Sequence, residues 1–358
     1  MINNKFIINN LKYYINILFF NGLFLKIKIH KKLKKFYNIK YYLKKKKKIK
    51  NIKKKINSKA LSPFISNLYT LILYIKNKNI YLYNKYIKLN LNFINSFSLI
   101  NNINILLILD NRTFLFIKET FKNIKSNIYI INNFFFKIYL KKKSNVIYLK
   151  YKKNNFSIST INNIIIYQKK FTKFILYDIN LYEKFNYNNI IINNLSNYCL
   201  SRINSIIISS NTQTTNFYLL INNNYSYCNN KQYYIGIYDD SSKSILKGLI
   251  NVKKNTKNNI SYQNYKNFIL SNKVYINLKP YLNIYTNNIK CSHGVNIGKI
   301  NKFFIYYLQS RGIKLYKAKI LFFLSILYKI INIKTFKCLF KDIKNKLKLI
   351  LNKKKFYV

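Results

Sequence analysis

The chain is 358 residues long and close to half apolar, with 35 Tyr and 27 Phe. That composition excludes a fibrous or wholly disordered protein and leaves room for a large buried core. Its 65 Lys and Arg against 7 Asp and Glu give a formal charge of +58, a balance that ordinarily signals nucleic acid or an anionic membrane.

The composition itself argues against that signal. Arg occurs only at Arg112, Arg202 and Arg311, Ala only at Ala60 and Ala318, Pro only at Pro63 and Pro280, and Trp nowhere. Lys, Asn, Ile, Tyr and Phe, the residues of A/T-rich codons, dominate. Lys also lacks the planar, bidentate guanidinium favoured in base and phosphate recognition. No specific nucleic-acid function is therefore expected, only salt-sensitive adhesion to polyanions. Cys199, Cys228, Cys291 and Cys338 are widely spaced with no CxxC, which excludes a zinc ribbon and a dense disulfide framework and fits a reducing interior. No small-residue cleavage site follows an apolar N-terminal core, and no apolar run is long enough to span a membrane.

In chain order, residues 1–95 hold two lysine runs, Lys44–Lys48 and Lys53–Lys55, and mixed stretches such as Ile17–Phe20. They are expected to form a basic N-terminal region, partly helical or disordered. Over 96–300, short apolar stretches such as Ile103–Leu109, Val146–Leu149, Ile164–Tyr167, Ile190–Ile192 and Tyr218–Ile221 alternate with Asn, Ser and Lys clusters. Short strands at near-regular spacing predict an all-β sandwich, barrel or solenoid. Asn-Asn pairs are expected to take the turns, because Asn tolerates the left-handed conformation. Alternation is cleanest late, where Val274, Ile276 and Leu278 point one way, Tyr275, Asn277 and Lys279 the other, and Leu282 and Ile284 resume the inward set.

Past Ile300 the period becomes helical. Phe303, Tyr307 and Leu308 share a face, and Gly312 ends the segment as a C′ glycine. Ile320, Leu324, Leu327 and Ile331 predict a second helix at about 315–333, and a third follows from Lys341. Residues 301–358 thus read as a helical module capping the strands.

Five of the six glycines, Gly236, Gly248, Gly294, Gly298 and Gly312, fall between 236 and 312, alongside Pro280, Arg311 and His293. In a chain poor in GC-rich codons, each implies a backbone need such as positive φ or close approach. The densest part runs from Lys279-Pro280 through Lys290-Cys291-Ser292-His293-Gly294 to Gly298, and Tyr307-Leu308-Gln309-Ser310-Arg311-Gly312-Ile313 follows downstream. These motifs, with the Gly236-Ile237 to Lys247-Gly248 strand pair, resemble the SufD type of the SufB/SufD family of iron–sulfur cluster assembly scaffolds. The likeness is close over about 230–333. Two departures stand out: Asn287-Asn288 replaces the family's acidic pair, and the acids usual in the following helices are missing.

The sister SufB pattern carries a cluster-building Cys nineteen positions before the His of a His-Glu-Ala motif. Here that position is Val274, and Gly294 replaces the Glu. The SufD type therefore fits better, with a SufB-like scaffold as the alternative. On a strand, Cys291 and His293 at i, i+2 share a face, a thiolate and an imidazole suited to iron or iron–sulfur species. Two ligands cannot complete such a site, so it must be shared with a partner chain.

The resemblance implies a right-handed parallel β-helix followed by the helical module, with a non-catalytic role. It implies pairing with a SufB-like subunit through the last β-helix strands and docking of a SufC-like ABC ATPase by the C-terminal helices, with Leu324 and Leu327 on the docking stripe. The cargo would be a transient iron–sulfur cluster, or iron, shared with the partner; a flavin is left open. The chain has no Gly-x-x-x-x-Gly-Lys-Ser/Thr loop of its own. The compartment expected is the cytoplasm of a reduced endosymbiotic bacterium, with a plastid stroma as the alternative. Cys199, Cys228 and Cys338 are expected as buried structural thiols. A rival class, an RNA-binding or ribosome-associated protein, would show aromatic platforms in a basic groove and would leave the clustered glycines and Cys291/His293 unexplained. A metal-dependent hydrolase fails for lack of ligands, since the only other histidine is His30.

Overall fold

The computed structural model describes residues 14–21, 23–31, 33, 37–45, 69–77, 86–95, 99–123, 129–151, 158–330 and 337–353. The second lysine run, most of the first, and Ile331 lie outside them. The first strands are β1 (Tyr14–Phe20), β2 (Leu23–Ile29), β3 (Tyr37–Lys45), β4 (Tyr69–Asn77) and β5 (Ile87–Asn95). Next come β6 (Leu99–Leu109), β7 (Phe114–Asn123), β8 (Ile130–Leu140), β9 (Asn145–Tyr151), β10 (Ile158–Gln168), β11 (Lys173–Asn180) and β12 (Phe185–Asn194). The series closes with β13 (Leu200–Ser209), β14 (Thr214–Asn223), β15 (Asn229–Tyr238), β16 (Lys243–Val252), β17 (Asn259–Ile269), β18 (Tyr275–Ile284) and β19 (Ile289–Gly298).

Odd strands from β5 to β19 pair in parallel with their odd neighbours, and even strands from β4 to β18 with their even ones. The chain therefore winds as a β-solenoid of about 7 turns, with a ten-stranded sheet facing a nine-stranded one. Ser159 faces Phe185, Phe185 faces Thr214, Thr214 faces Lys243 and Lys243 faces Tyr275, so successive coils take 26, 29, 29 and 32 residues. Among the described residues, only β1/β2 and β3/β4 pair antiparallel, and they flank the first coils.

The residues expected as a basic arm thus belong in part to the solenoid. Ile87, Leu89, Leu91 and Phe93 alternate inward along β5, and Ile15, Ile17 and Phe19 do so along β1. Period-2 burial of this kind is enough to recruit a strand whatever charge its outer face carries.

The Asn-Asn pairs also differ from expectation. Asn101-Asn102, Asn132-Asn133, Asn162-Asn163, Asn188-Asn189, Asn193-Asn194 and Asn222-Asn223 lie inside strands. Coil stacking brings identical amides into register, and they bond along the axis: Asn222 Nδ2 to Asn193 Oδ1 at 2.8 Å, Asn251 to Asn222 at 2.9 Å and Asn283 to Asn251 at 3.0 Å. The turns use residues of several types, with Asn287-Asn288 and, leading into β17, Asn258-Asn259 pairs that do sit there. Arg112, Lys143, Phe171, Tyr198, Tyr227 and Asn258 take positive φ at one corner. There Arg112, Lys143, Tyr198, Tyr227 and Asn258 each hand a backbone N–H to the next coil, Lys143 to the Lys170 carbonyl at 3.0 Å and Asn258 to that of Asn288 at 2.7 Å.

Three helices follow: α1 (Lys302–Ser310), α2 (Leu315–Leu327) and α3 (Lys337–Lys353). Asn301 caps the first by accepting the Phe303 N–H, and Gly312 at φ +76 closes it as expected. The module does not cap the end of the strands. It lies flat on the outer face of the ten-stranded sheet, where Ile147, Ile175, Ile206 and Ile235 meet Phe323, Leu327, Ile343 and Leu347. Full burial of each such side chain stabilises the union by about 1.5–3 kcal/mol. None of the helices among the described residues is long and apolar enough to cross a membrane.

Candidate functional site

Because sheet order ends at β18 and β19, each of these strands offers one edge with no partner strand among the described residues. The core residues of this last coil, Val274, Ile276, Leu278, Leu282, Ile289 and Cys291, are only partly covered. Tyr281, Ile284, Val295 and Ile297 beside them are exposed. Pro280 sits in β18 opposite Gly248, a place where an edge strand tolerates a residue with no N–H.

Cys291 and His293 lie on β19, facing Ser261 and Gln263 of β17. Ile289 and Cys291 pack on the core, so alternation puts His293 on that same inward face, at the open rim, where it is exposed. Burial pushes the Cys291 thiol above its ordinary range, and a hydrogen bond from Ser261 pulls the other way. Among the described residues no three His, Cys, Asp or Glu side chains are grouped so as to hold a metal ion. Cys291 and His293 stand two residues apart on the inward face of β19, at the open rim of the last coil.

The clustered glycines divide. A Cβ at Gly248 would run into the Tyr265 hydroxyl, which crosses the lumen to donate to Gln232 Oε1 at 2.6 Å. A Cβ at Gly294 would meet nothing within 4 Å, and one at Gly298 only Asn296 Oδ1 at 3.6 Å, with no positive φ at either. The expected backbone need is absent within this chain at those two edge positions. Arg311 lies over the Tyr307 ring, its Cζ 5.3 Å from the centroid, beside the end of α1.

Leu324 and Leu327, expected on a docking stripe, are 6% and 0% exposed and hold the module to the sheet. The i, i+3 spacing is real, but its partner is the chain's own outer sheet face. The densest outward apolar surface is on α1, with Phe303 82%, Tyr306 61% and Tyr307 57% exposed, while Leu321 and Leu349 are exposed singly on the other helices.

Cys199 and Cys228 are buried one coil apart, donating to the same Ser196 carbonyl at 3.0 and 3.6 Å. Their mutual hydrogen bond lowers the Cys199 thiol and raises that of Cys228. The Cys338 side chain lies outside the described residues. Sequence reasoning missed the buried amide Gln263 beneath His293. Its signal was available in the polar residues Ser261 and Gln263, which occupy inward positions of β17.

A solenoid of short stacked coils, with a Cys-x-His pair on its final strand, is matched from residue 93 to residue 325 by the family model for the SUF system FeS cluster assembly, SufBD core domain. The chain belongs to the SufBD family. It is 31% identical over 112 residues to the iron-sulfur cluster assembly protein SufD of Escherichia coli (strain K12), covering 31% of this chain and 26% of that protein. Against an iron-sulfur cluster assembly SufBD family protein of Synechocystis sp. it is 27% identical over 188 residues, covering 52% of this chain and 42% of the other. A chloroplastic protein of Arabidopsis thaliana, ABCI7, is 29% identical over 79 residues, 22% of this chain and 17% of that one. The chain thus spans less than half the length of the curated relatives it matches. Proteins of the SufBD family are scaffold components of the iron–sulfur cluster assembly system.

Proposed function

We propose that this SufBD chain is the SufD-type, non-catalytic subunit of a SufBCD-like complex, and that it contributes Cys291 and His293 to a cluster-building site shared with a SufB-like partner. The observation that carries the reading is the open last coil. Two unpaired strand edges and a half-covered core stand where the one Cys-x-His pair projects. Edge strands left in this state are templates for pairing with another sheet.

Gly294 and Gly298 support the same face. They have no reason to be glycine inside the chain, and they leave the β19 backbone bare for close approach. At the position of the SufB acceptor Cys stands Val274, a core residue with no ligating atom, so the partner must bring that thiolate. The cluster is cargo here, held between chains rather than resident in this one. Docking of a SufC-like ATPase is assigned to Phe303, Tyr306 and Tyr307 of α1 in place of Leu324 and Leu327. The compartment is a bacterial cytoplasm or a plastid stroma.

Co-expression with candidate SufB-like and SufC-like proteins tests the reading. The three should co-purify at both low and high salt, because the rim contact is apolar, whereas adhesion of a +58 chain to polyanions dissolves in salt. Recovery of this chain alone under both conditions would overturn it.

A further inference from the structure

We infer that Gln263 is the positioning residue for His293, fixing the imidazole tautomer with which it faces the cargo. The inference rests on the reading of His293 as a ligand. Gln263 lies opposite His293 in the parallel β17/β19 register, and both side chains are on the inward face. Neighbouring strands run about 4.8 Å apart, within reach of an amide and an imidazole. Gln263 is 2% exposed, yet neither its Nε2 nor its Oε1 has a hydrogen-bond partner. A buried amide with both ends unmet is costly, so rotation of the exposed His293 ring to bring an N–H onto Gln263 Oε1 is favoured.

Asn267, the other unmet buried amide of β17, lies opposite Ile297 rather than His293, and the nearer hydroxyls are already engaged. Ser261 bonds Cys291 and takes amide N–H groups from Asn223 at 3.2 Å and Asn230 at 3.4 Å, while the Tyr265 hydroxyl is given to Gln232. Across the lumen β18 presents Ile276, Leu278 and Leu282. No Asp or Glu occurs in β17, β18 or β19. A histidine that binds metal through one nitrogen needs an acceptor for the N–H of the other, usually a carboxylate or a carbonyl. Here the acceptor with free capacity is a neutral amide. Gln263 Oε1 takes that N–H, leaving the other ring nitrogen bare and aimed at the rim.

The chain has two histidines, so 15N-histidine labelling gives two imidazole spectra, His30 and His293, assigned with His293→Ala. In the full-length protein, above the pH at which imidazole protonates, His293 should populate one neutral tautomer. Gln263→Met, close in shape with no acceptor, should mix the tautomers, and Gln263→Glu should restore a single one. Thermal stability should not fall in Gln263→Met, because an unmet amide is removed. In the assembled complex Gln263→Met should lose several-fold in cluster loading, with Gln263→Glu recovering part. Unchanged tautomer populations in Gln263→Met would overturn the positioning role even if His293→Ala abolishes loading. Unimpaired loading in His293→Ala would instead overturn the ligand reading beneath it.

Discussion

Five of the chain's seven acidic residues, Asp110, Glu119, Asp178, Glu183 and Asp239, are buried despite the large positive charge. Their partners explain why they stay. Tyr148 donates to Glu119, Thr160 donates to Glu183 at 2.7 Å, and Lys150, itself only 2% exposed, pairs with Asp178 at 3.6 Å and donates to Asn188 at 2.6 Å. Breaking such a pair strands a buried charge, whereas replacing both members with apolar groups need not. Asp178→Asn should therefore lower the unfolding free energy by ~3 kcal/mol, read by denaturant titration, and Lys150→Met with Asp178→Leu should recover most of it. At this scale Cys291 and His293 were legible because His is so rare in the chain. Gln263 was not, because a lone Gln in a strand has significance only once its register partner is known.

Among elements, strand alternation was readable wherever outer-face residues were polar and distinct, as over Val274–Ile284. It was hidden in β1 and β5, where Lys, Asn and Tyr on the outer face imitate the composition of an arm. The Asn pairs were misread for a related reason. Asn has low strand propensity in isolation, and only stacking in a solenoid turns it into an axial ladder. Helix periodicity was legible, but not what the apolar stripe touches. The consequence is a pair of opposite outcomes. Leu327→Asp should place an unpaired charge between helix and sheet and unfold the module at a cost of several kcal/mol, visible as a lower Tm with lost helical circular dichroism. Phe303→Ala with Tyr306→Ala should leave Tm within a degree or two, since both are exposed, while weakening ATPase capture in a pull-down.

In the whole molecule, tyrosines built into the core set the response to base. Burial pushes Tyr86 up to about 12 and Tyr238 to about 12, and it raises Tyr148 and Tyr234 as well. A folded pKa above the unfolded value of about 10 means that this stability is present below pH ~10 and is lost as pH rises through the folded values. Unfolding, followed by circular dichroism, should then coincide with tyrosinate absorbance between about pH 10 and 12, in one cooperative step. The opposite end of the solenoid's design is its unfinished last coil, and there the central claim can be met directly. The complex of this chain with its SufB-like and SufC-like partners, carrying His293→Ala, should assemble as the wild type does, because one rim side chain adds little to an interface of two strand edges. After anaerobic reconstitution its iron and sulfide content should fall to background, with Cys291→Ser giving a milder loss. A His293→Ala complex that assembles and takes up iron and sulfide at the wild-type level would contradict the account.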